Sequence, residues 1–195
     1  MMLIKMIDEY LQNRPKQERR IRCFHPSSLH RDEEYLYQAY LNGTSSENHD
    51  PRILRVFDNG HGVHSRLQGY LKEMGILLDA EVEVWNEEFE IYGHCDGVLQ
   101  LADQKGILEI KSINSNGFWN LYSPKPEHLV QVHAYMFALG IPRGVLLYEE
   151  KDGQYLKNFF IREDAVIRDG ILGKIRRVQK LIREDSKGGE QGLRG

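Results

Sequence analysis

The feature that most constrains this chain is an abrupt change of hydrophobic period near residue 75. From Pro51 to Met74 the apolar residues Ile53, Phe57, Val63, Leu67, Leu71 and Met74 recur at helical spacing, with Gly60 on the same stripe. Such spacing builds one apolar helix face, and Pro51 and Gly75 suit its first turn and its stop. The period then shortens. Segments 80–87, 89–101 and 105–112 read as strands, the last two joined by a turn at 102–105. A helix follows over 126–139, ended by Gly140 and Pro142. Strands at 143–150 and 154–161 flank Asp152-Gly153, a hairpin signal. A last amphipathic helix spans 163–184, with Ile171, Ile175, Val178 and Ile182 on one face. This order predicts an α/β domain, a central mixed β-sheet flanked by helices.

The remaining segments are less regular. A short helix is expected over 3–12, then a polar stretch to Arg20. Ser27 or Ser28 is placed to cap a helix running to about Leu41, before a polar loop at 43–50. Segment 114–125, rich in Asn, Ser, Gly, Pro and aromatics, is expected to be mostly loop. The glycine-rich tail 186–195 is expected to be flexible. One domain over 1–185 results, with N-terminal helices at 1–75, an α/β core at 50–162 and a C-terminal helix at 163–184. A chain of 195 residues can bury one full core of this kind.

Several classes are disfavoured. No apolar run approaches the ~20 residues of a membrane helix. The start is too acidic, and its apolar stretch too short, for a secretory signal, so a cytoplasmic protein without a membrane partner is expected. The two cysteines, Cys23 and Cys95, form no Cys-x-x-Cys pair, which argues against cysteine-held zinc or iron–sulfur. A net charge of −3 does not advertise nucleic-acid binding. Yet Arg14, Lys16, Arg19, Arg20 and Arg22 crowd one stretch, and Lys174, Arg176, Arg177, Lys180 and Arg183 another. Local patches of this kind serve phosphate binding, and solvated helix faces look the same in sequence.

The chemistry concentrates on two adjacent strands. In Ile107-Leu108-Glu109-Ile110-Lys111, Glu109 and Lys111 share one face while Leu108 and Ile110 take the other. A glutamate and a lysine directed inward together need partners, because unpaired buried charge is costly. A tight turn at Ala102-Asp103 sets Asp96 opposite Glu109 and His94 opposite Lys111. Two carboxylates that close repel unless a cation lies between them, whether Lys111 or a divalent ion. On the long helix, His64 falls on the apolar stripe, with Gly60 one turn before it and Gln68 one turn after. Gly60 would allow another backbone to come close. A lone histidine there is more often packed than ligating, and His61 is its rival on a neighbouring stripe. Gln131 and Tyr135, four apart, share one face of the 126–139 helix beside Leu129, Val132, Met136 and Leu139.

Taken together, the residues resemble the PD-(D/E)XK nuclease superfamily in its RecB-type branch, which includes recombination-helicase nuclease domains, CRISPR-associated nucleases, the mitochondrial genome maintenance exonuclease and phage exonucleases. The matching motifs are Gly60-x-x-x-His64, Gly93-His94-Cys95-Asp96-Gly97, Glu109-Ile110-Lys111 and Gln131-x-x-x-Tyr135, in the family's order. The segment Phe24-His25-Pro26-Ser27-Ser28-Leu29 resembles the usual entry. Glu-x-Lys alone is weak; four motifs in order are specific. The resemblance implies a restriction-endonuclease-like core and a DNA nuclease. It implies Mg²⁺ or Mn²⁺ held by His64, Asp96, Glu109 and the Ile110 carbonyl, and carboxylate and imidazole donors suit those ions. Lys111 would orient or activate the attacking water, and Gln131 and Tyr135 would position DNA or the lysine. Cluster-bearing members place cysteines near the N-terminal motif and the C-terminus. Here Asp32 or its neighbours stand in the first region, so no iron–sulfur cluster is expected.

The substrate is argued more loosely. Phe118, Trp119 and Tyr122 follow the Glu-x-Lys strand, and exposed aromatics stack on unpaired bases. They serve equally well as cover for the sheet. Ser27, Ser28, Gln68 and His94 are the other candidate DNA contacts. With the basic patches these favour single-stranded DNA or DNA ends, and by analogy an exonuclease of phage or bacterial replication, recombination or repair. A structure-specific or nicking endonuclease would share the site. A DNA-binding module that does not cut is a third reading, opposed by the intact Asp96, Glu109 and Lys111. A metalloprotein unrelated to nucleic acid is weaker still, since no His-Glu-x-x-His or cysteine pair supports it. A homo-oligomer and other replication or recombination proteins are compatible partners.

Overall fold

The computed structural model describes residues 2–15, 20–43 and 49–191, with side chains through Asp185 at the C-terminal end. Five strands form one sheet in sequence order: β1 (Leu77–Asn86), β2 (Ile91–Leu101), β3 (Gln104–Ile113), β4 (Arg143–Glu150) and β5 (Leu156–Arg162). The pair β3–β4 is parallel and the other three pairs are antiparallel, so the sheet is mixed. A parallel pair needs a crossover. Here it is made by α4 (Ser115–Trp119) and α5 (Pro126–Leu139). Helices α1 (Met2–Gln12), α2 (Glu33–Asn42) and α3 (Pro51–Glu73) precede the sheet, and α6 (Ala165–Gln191) follows it. Among the described residues, no helix is long and apolar enough to cross a membrane.

Helices cover both sheet faces, and this fixes where the polar residues of β3 point. Val63 and Leu67 of α3 pack against Leu99, Leu108, Ile110 and Val145. Val132 and Met136 of α5 pack against Val98, Ile107, Leu146 and Tyr148. Ile107 thus faces α5 while Leu108 and Ile110 face α3, and strand alternation sends Glu109 and Lys111 to the α5 side. A further cluster joins Ile171, Ile175 and Val178 of α6 to Phe24, Leu36, Phe89 and Ile91, tying the N-terminal segments to the sheet.

The departures from the sequence expectations have local causes. Neither Ser27 nor Ser28 caps α2. Pro26–Ser28 forms a 3-10 turn instead, and Asp32 caps the helix by accepting from the Tyr35 N–H at 2.7 Å. The segment expected to be mostly loop contains α4, whose cap Asn114 accepts from the Gly117 N–H. The strand after Asp152-Gly153 starts only at Leu156, because the Glu150 carboxylate gathers the N–H groups of Asp152 and Gly153 into a wider turn. Helix α6 continues past 184 to Gln191, so the backbone of the expected tail is helical over 186–191. Residues 192–195 of that tail lie outside the described residues. So do Lys16, Arg19 and most of the 43–50 loop.

Candidate active site

The site is built where β2 and β3 diverge. Their ladder runs from Leu101↔Gln104 to Gly97↔Leu108, the register that a tight turn at Ala102-Asp103 requires. Extended by one residue, it sets Asp96 opposite Glu109, but the ladder ends there. The Ile110 N–H, instead of bonding across to the β2 backbone, donates to Asp96 Oδ2 at 2.5 Å. The buried Asp96 carboxylate therefore sits in the fork between the strands.

Helix α3 closes one side of this fork. His64 Nδ1 lies 3.1 Å from Asp96 Oδ1. Burial works to lower the His64 pKa, but the hydrogen bond and attraction to Asp96 outweigh it and hold the imidazole above its ordinary value. One turn on, the Gln68 amide donates to the Asp96 carbonyl at 2.8 Å and to Glu81 Oε1 at 2.7 Å. His61 is exposed and lies outside the site.

Helix α5 closes the other side. Glu109 is 2% exposed. Its Oε1 accepts from Lys111 Nζ at 2.7 Å and from Gln131 Nε2 at 2.6 Å, while Lys111 also donates to Gln131 Oε1 at 2.9 Å. Gln131 thus holds the acid and the lysine together. Glu109 Oε2 is buried without a hydrogen-bond partner among the described residues. Burial first, and then the charge of Asp96, push Glu109 up to about 8 despite Lys111. The Tyr135 hydroxyl donates to the His94 carbonyl at 2.7 Å, pinning β2 to α5, and burial raises its pKa. Gly93 permits this approach, since a Cβ there would stand 3.1 Å from both Tyr135 Oη and Pro26 Cδ.

Beside Gln131 and Tyr135 opens a cavity of about 890 Å³, lined also by Arg20, His25, Ser27, Tyr92 and His94. The Arg20 guanidinium lies 4.3 Å over Trp85 and 4.9 Å over Tyr92, a cation–π arrangement that holds its charge at the rim.

Not every expected residue joins the site. The paired β2–β3 ladder stops at Gly97, so no backbone pairing sets His94 opposite Lys111. The His94 side chain is half exposed, pairs with Glu83 across β1–β2 and lines the cavity. Ser28 is buried, whereas Ser27 is exposed at the cavity. Phe118 is 1% exposed, a core ring with Lys157 Nζ over it, whereas Trp119 and Tyr122 are exposed. Gly60 admits no close backbone: a Cβ there would meet Ser112 Oγ at an ordinary 3.8 Å. The C-terminal basic residues are largely occupied. Arg177 pairs with Glu33, Arg176 with Glu88 and Lys180 with Glu184, while Lys174 donates to the Leu29 and Arg31 carbonyls.

Two residues near the site are absent from the sequence expectations. Glu81, on β1, has a carboxylate oxygen that lies with His64 and Asp96 ligand atoms in a group mutually within 4.8 Å. Only the β1–β2 register brings it there. His128, one turn before Gln131, hydrogen-bonds the Tyr148 hydroxyl at 2.8 Å. Burial, and then the charge of Lys111, push it down to about 4. Its spacing from Gln131 is the one signal that could have found it.

The fold is shared with solved structures, an exonuclease among them. An alkaline exonuclease from Laribacter hongkongensis superposes with a TM-score of 0.64 at 14% identity, over 89% of this chain and 94% of that one. The same enzyme in complex with dAMP gives 0.56 at 16% identity, over 86% and 95%. The crystal structure of SSO0001 gives 0.62 at 18% identity, over 93% and 86%. No family model matches the sequence, and no curated protein is detectably similar to it.

Proposed function

We propose that this chain is a divalent-metal-dependent deoxyribonuclease, acting as an exonuclease on single-stranded DNA or DNA ends. The observation that carries the proposal is the unpartnered Glu109 Oε2, buried beside Asp96 and His64. Glu109 and Asp96 bring two acids to a fork that Lys111 alone does not neutralise, and the unsatisfied oxygen there is relieved either by a proton, the direction of the raised Glu109 pKa, or by a cation, which the second acid and the imidazole favour. The donors fit Mg²⁺ or Mn²⁺: carboxylates from Asp96 and Glu109, the His64 imidazole, and the Ile110 carbonyl at the same fork. A bound cation would polarise the scissile phosphate and lower the pKa of a bound water.

The chain's own residues account for the rest. Lys111, held by Glu109 and Gln131, sets a positive charge where the transition state gains negative charge, and orients the attacking water. Water oxygen bonds to phosphorus and gives up a proton, the bond from phosphorus to the leaving sugar oxygen breaks, and that oxygen takes a proton from solvent, so one water is consumed for each bond cut. Tyr135 keeps the Asp96 strand fixed to α5. Arg20, Ser27, Tyr92 and His94 offer charge, hydrogen bonds and ring faces to a strand entering the cavity, and Trp119 and Tyr122 offer further stacking surface. The exonuclease choice is supported by the alkaline exonuclease that shares this fold. A place in bacterial or phage replication, recombination or repair, in the cytoplasm, and any homo-oligomer or partner protein, rest on the family resemblance alone.

The test is cleavage of end-labelled linear and covalently closed circular DNA, single- and double-stranded, with Mg²⁺ or Mn²⁺. Linear DNA should shorten, circles should survive, and Lys111→Ala should be inactive. Cut circles would replace the exonuclease reading with an endonuclease. If Lys111→Ala cuts as fast as the parent, the site assignment is wrong.

A further inference from the structure

Strand β1 carries an acid that the motifs do not account for. Ala80 pairs with Gly97 and Val82 with Cys95, so Glu81 stands directly across from Asp96. Its backbone is in the left-handed region, φ 48°, which a glutamate seldom adopts. Gln68 donates to the Glu81 carboxylate and to the Asp96 carbonyl, and so orients Glu81 and Asp96 from one buried amide.

The spacing matches a shared cation. Ligand atoms bonded to one ion at ~2.0–2.3 Å lie no more than about 4.6 Å apart. Those of His64, Glu81 and Asp96 already lie within 4.8 Å of one another. Glu109 Oε2, buried and unpartnered, lies within reach of the Asp96 and His64 charges and supplies an independent sign that the fork expects a cation. The Glu81 carboxylate is exposed to solvent and, among the described residues, accepts from the neutral Gln68 amide and pairs with no cationic side chain, which leaves its charge for an ion.

We propose that Glu81 is a ligand for a divalent cation at this site, which it shares with His64 and Asp96. Glu81 then adds a carboxylate to the centre already assigned, so its role rests on the nuclease reading and deepens it. A ligand role also explains a strained acid at the one β1 position that faces Asp96.

Mn²⁺ binding to the full chain, followed by the electron paramagnetic resonance signal of free Mn²⁺, tests it without DNA. Glu81→Gln should weaken binding by more than the ~10–100-fold typical of outer partners of a ligand. Glu83→Gln, an exposed acid two residues on, should bind as the parent does. Glu81→Gly suits the left-handed backbone, so it should fold as well as the parent and still lose the affinity. If Glu81→Gln and Glu81→Gly bind Mn²⁺ like the parent, Glu81 is no ligand, while parental DNA cleavage would leave the nuclease reading intact. If binding depends on Glu81 but the parent cuts no DNA, the cation site stands and the nuclease reading falls. A parent that binds no Mn²⁺ overturns both.

Discussion

The Asp96 carboxylate accepts the Ile110 N–H at the point where the β2–β3 ladder stops. One side chain therefore does two things. It satisfies a buried backbone donor that the diverging strands would otherwise orphan, and it holds an acidic group in the opening. The fork and the acid depend on each other, so the charge and the hydrogen bond are separable by mutation.

Asp96→Asn keeps an acceptor for the Ile110 N–H and removes the charge. Asp96→Ala removes both. We expect both variants to lose DNA cleavage. Only the alanine should also leave the buried N–H unpaired, at about 1–3 kcal/mol. Urea unfolding in the presence of EDTA checks this, because chelation removes any contribution from metal. Equal stability of the two variants would mean that the bond contributes nothing.

Gln131 touches both Glu109 and Lys111. Its loss should leave the lysine less well placed without removing any charge from the site. Gln131→Ala is expected to lower kcat by about 10–100-fold, a positioning effect. KM for DNA should change little. A variant that raised KM at unchanged kcat would show that Gln131 contacts substrate instead.

The central elements are legible because their periods are long and undisturbed. Helix α5 and strand β4 fall where the sequence predicts them, and the Ala102-Asp103 turn correctly sets the β2–β3 register. That register brings Asp96 and Glu109 together on sequence grounds alone. The failures lie where a tertiary contact decides. Phe118 reads as a loop aromatic, yet a one-turn helix delivers it to the core. The expected pairing of His94 with Lys111 is not made, because the paired ladder stops at Gly97, short of the His94 position that a regular hairpin would still include. Glu81 is invisible because its meaning depends on pairing across β1–β2, and no turn between those strands announces the register.

His128 gives a pH prediction. Its folded pKa is pushed down to about 4 from an ordinary 6.5, chiefly by burial and then by Lys111. The folded state therefore binds its proton more weakly than the unfolded state. The stability this neutral histidine contributes is full above pH 6.5 and is lost as pH falls from there towards 4. His128→Gln keeps a polar partner for the Tyr148 hydroxyl and cannot titrate. The slope of unfolding free energy against pH over that window should be shallower in the variant. Parallel slopes for variant and parent would mean that His128 is not the group responsible.

Two motif glycines should respond oppositely to alanine. A Cβ at Gly97 would stand 2.7 Å from the Asp79 carbonyl oxygen and 2.7 Å from Leu77 Cδ1. Backbone cannot swing aside as a flexible side chain can, and the contact lies at the register shift between Leu77 and Asp79. Gly97→Ala should destabilise by about 1–3 kcal/mol and displace β1, and with it Glu81, relative to Asp96. At Gly60 an added methyl would meet only Ser112 Oγ at 3.8 Å, inside helix α3. Gly60→Ala should therefore raise stability by up to about 1 kcal/mol through helix propensity. Thermal unfolding of the two variants tests both signs at once. If Gly60→Ala proved the more damaging, the helix would have to lie closer to β3 than the 3.8 Å contact allows.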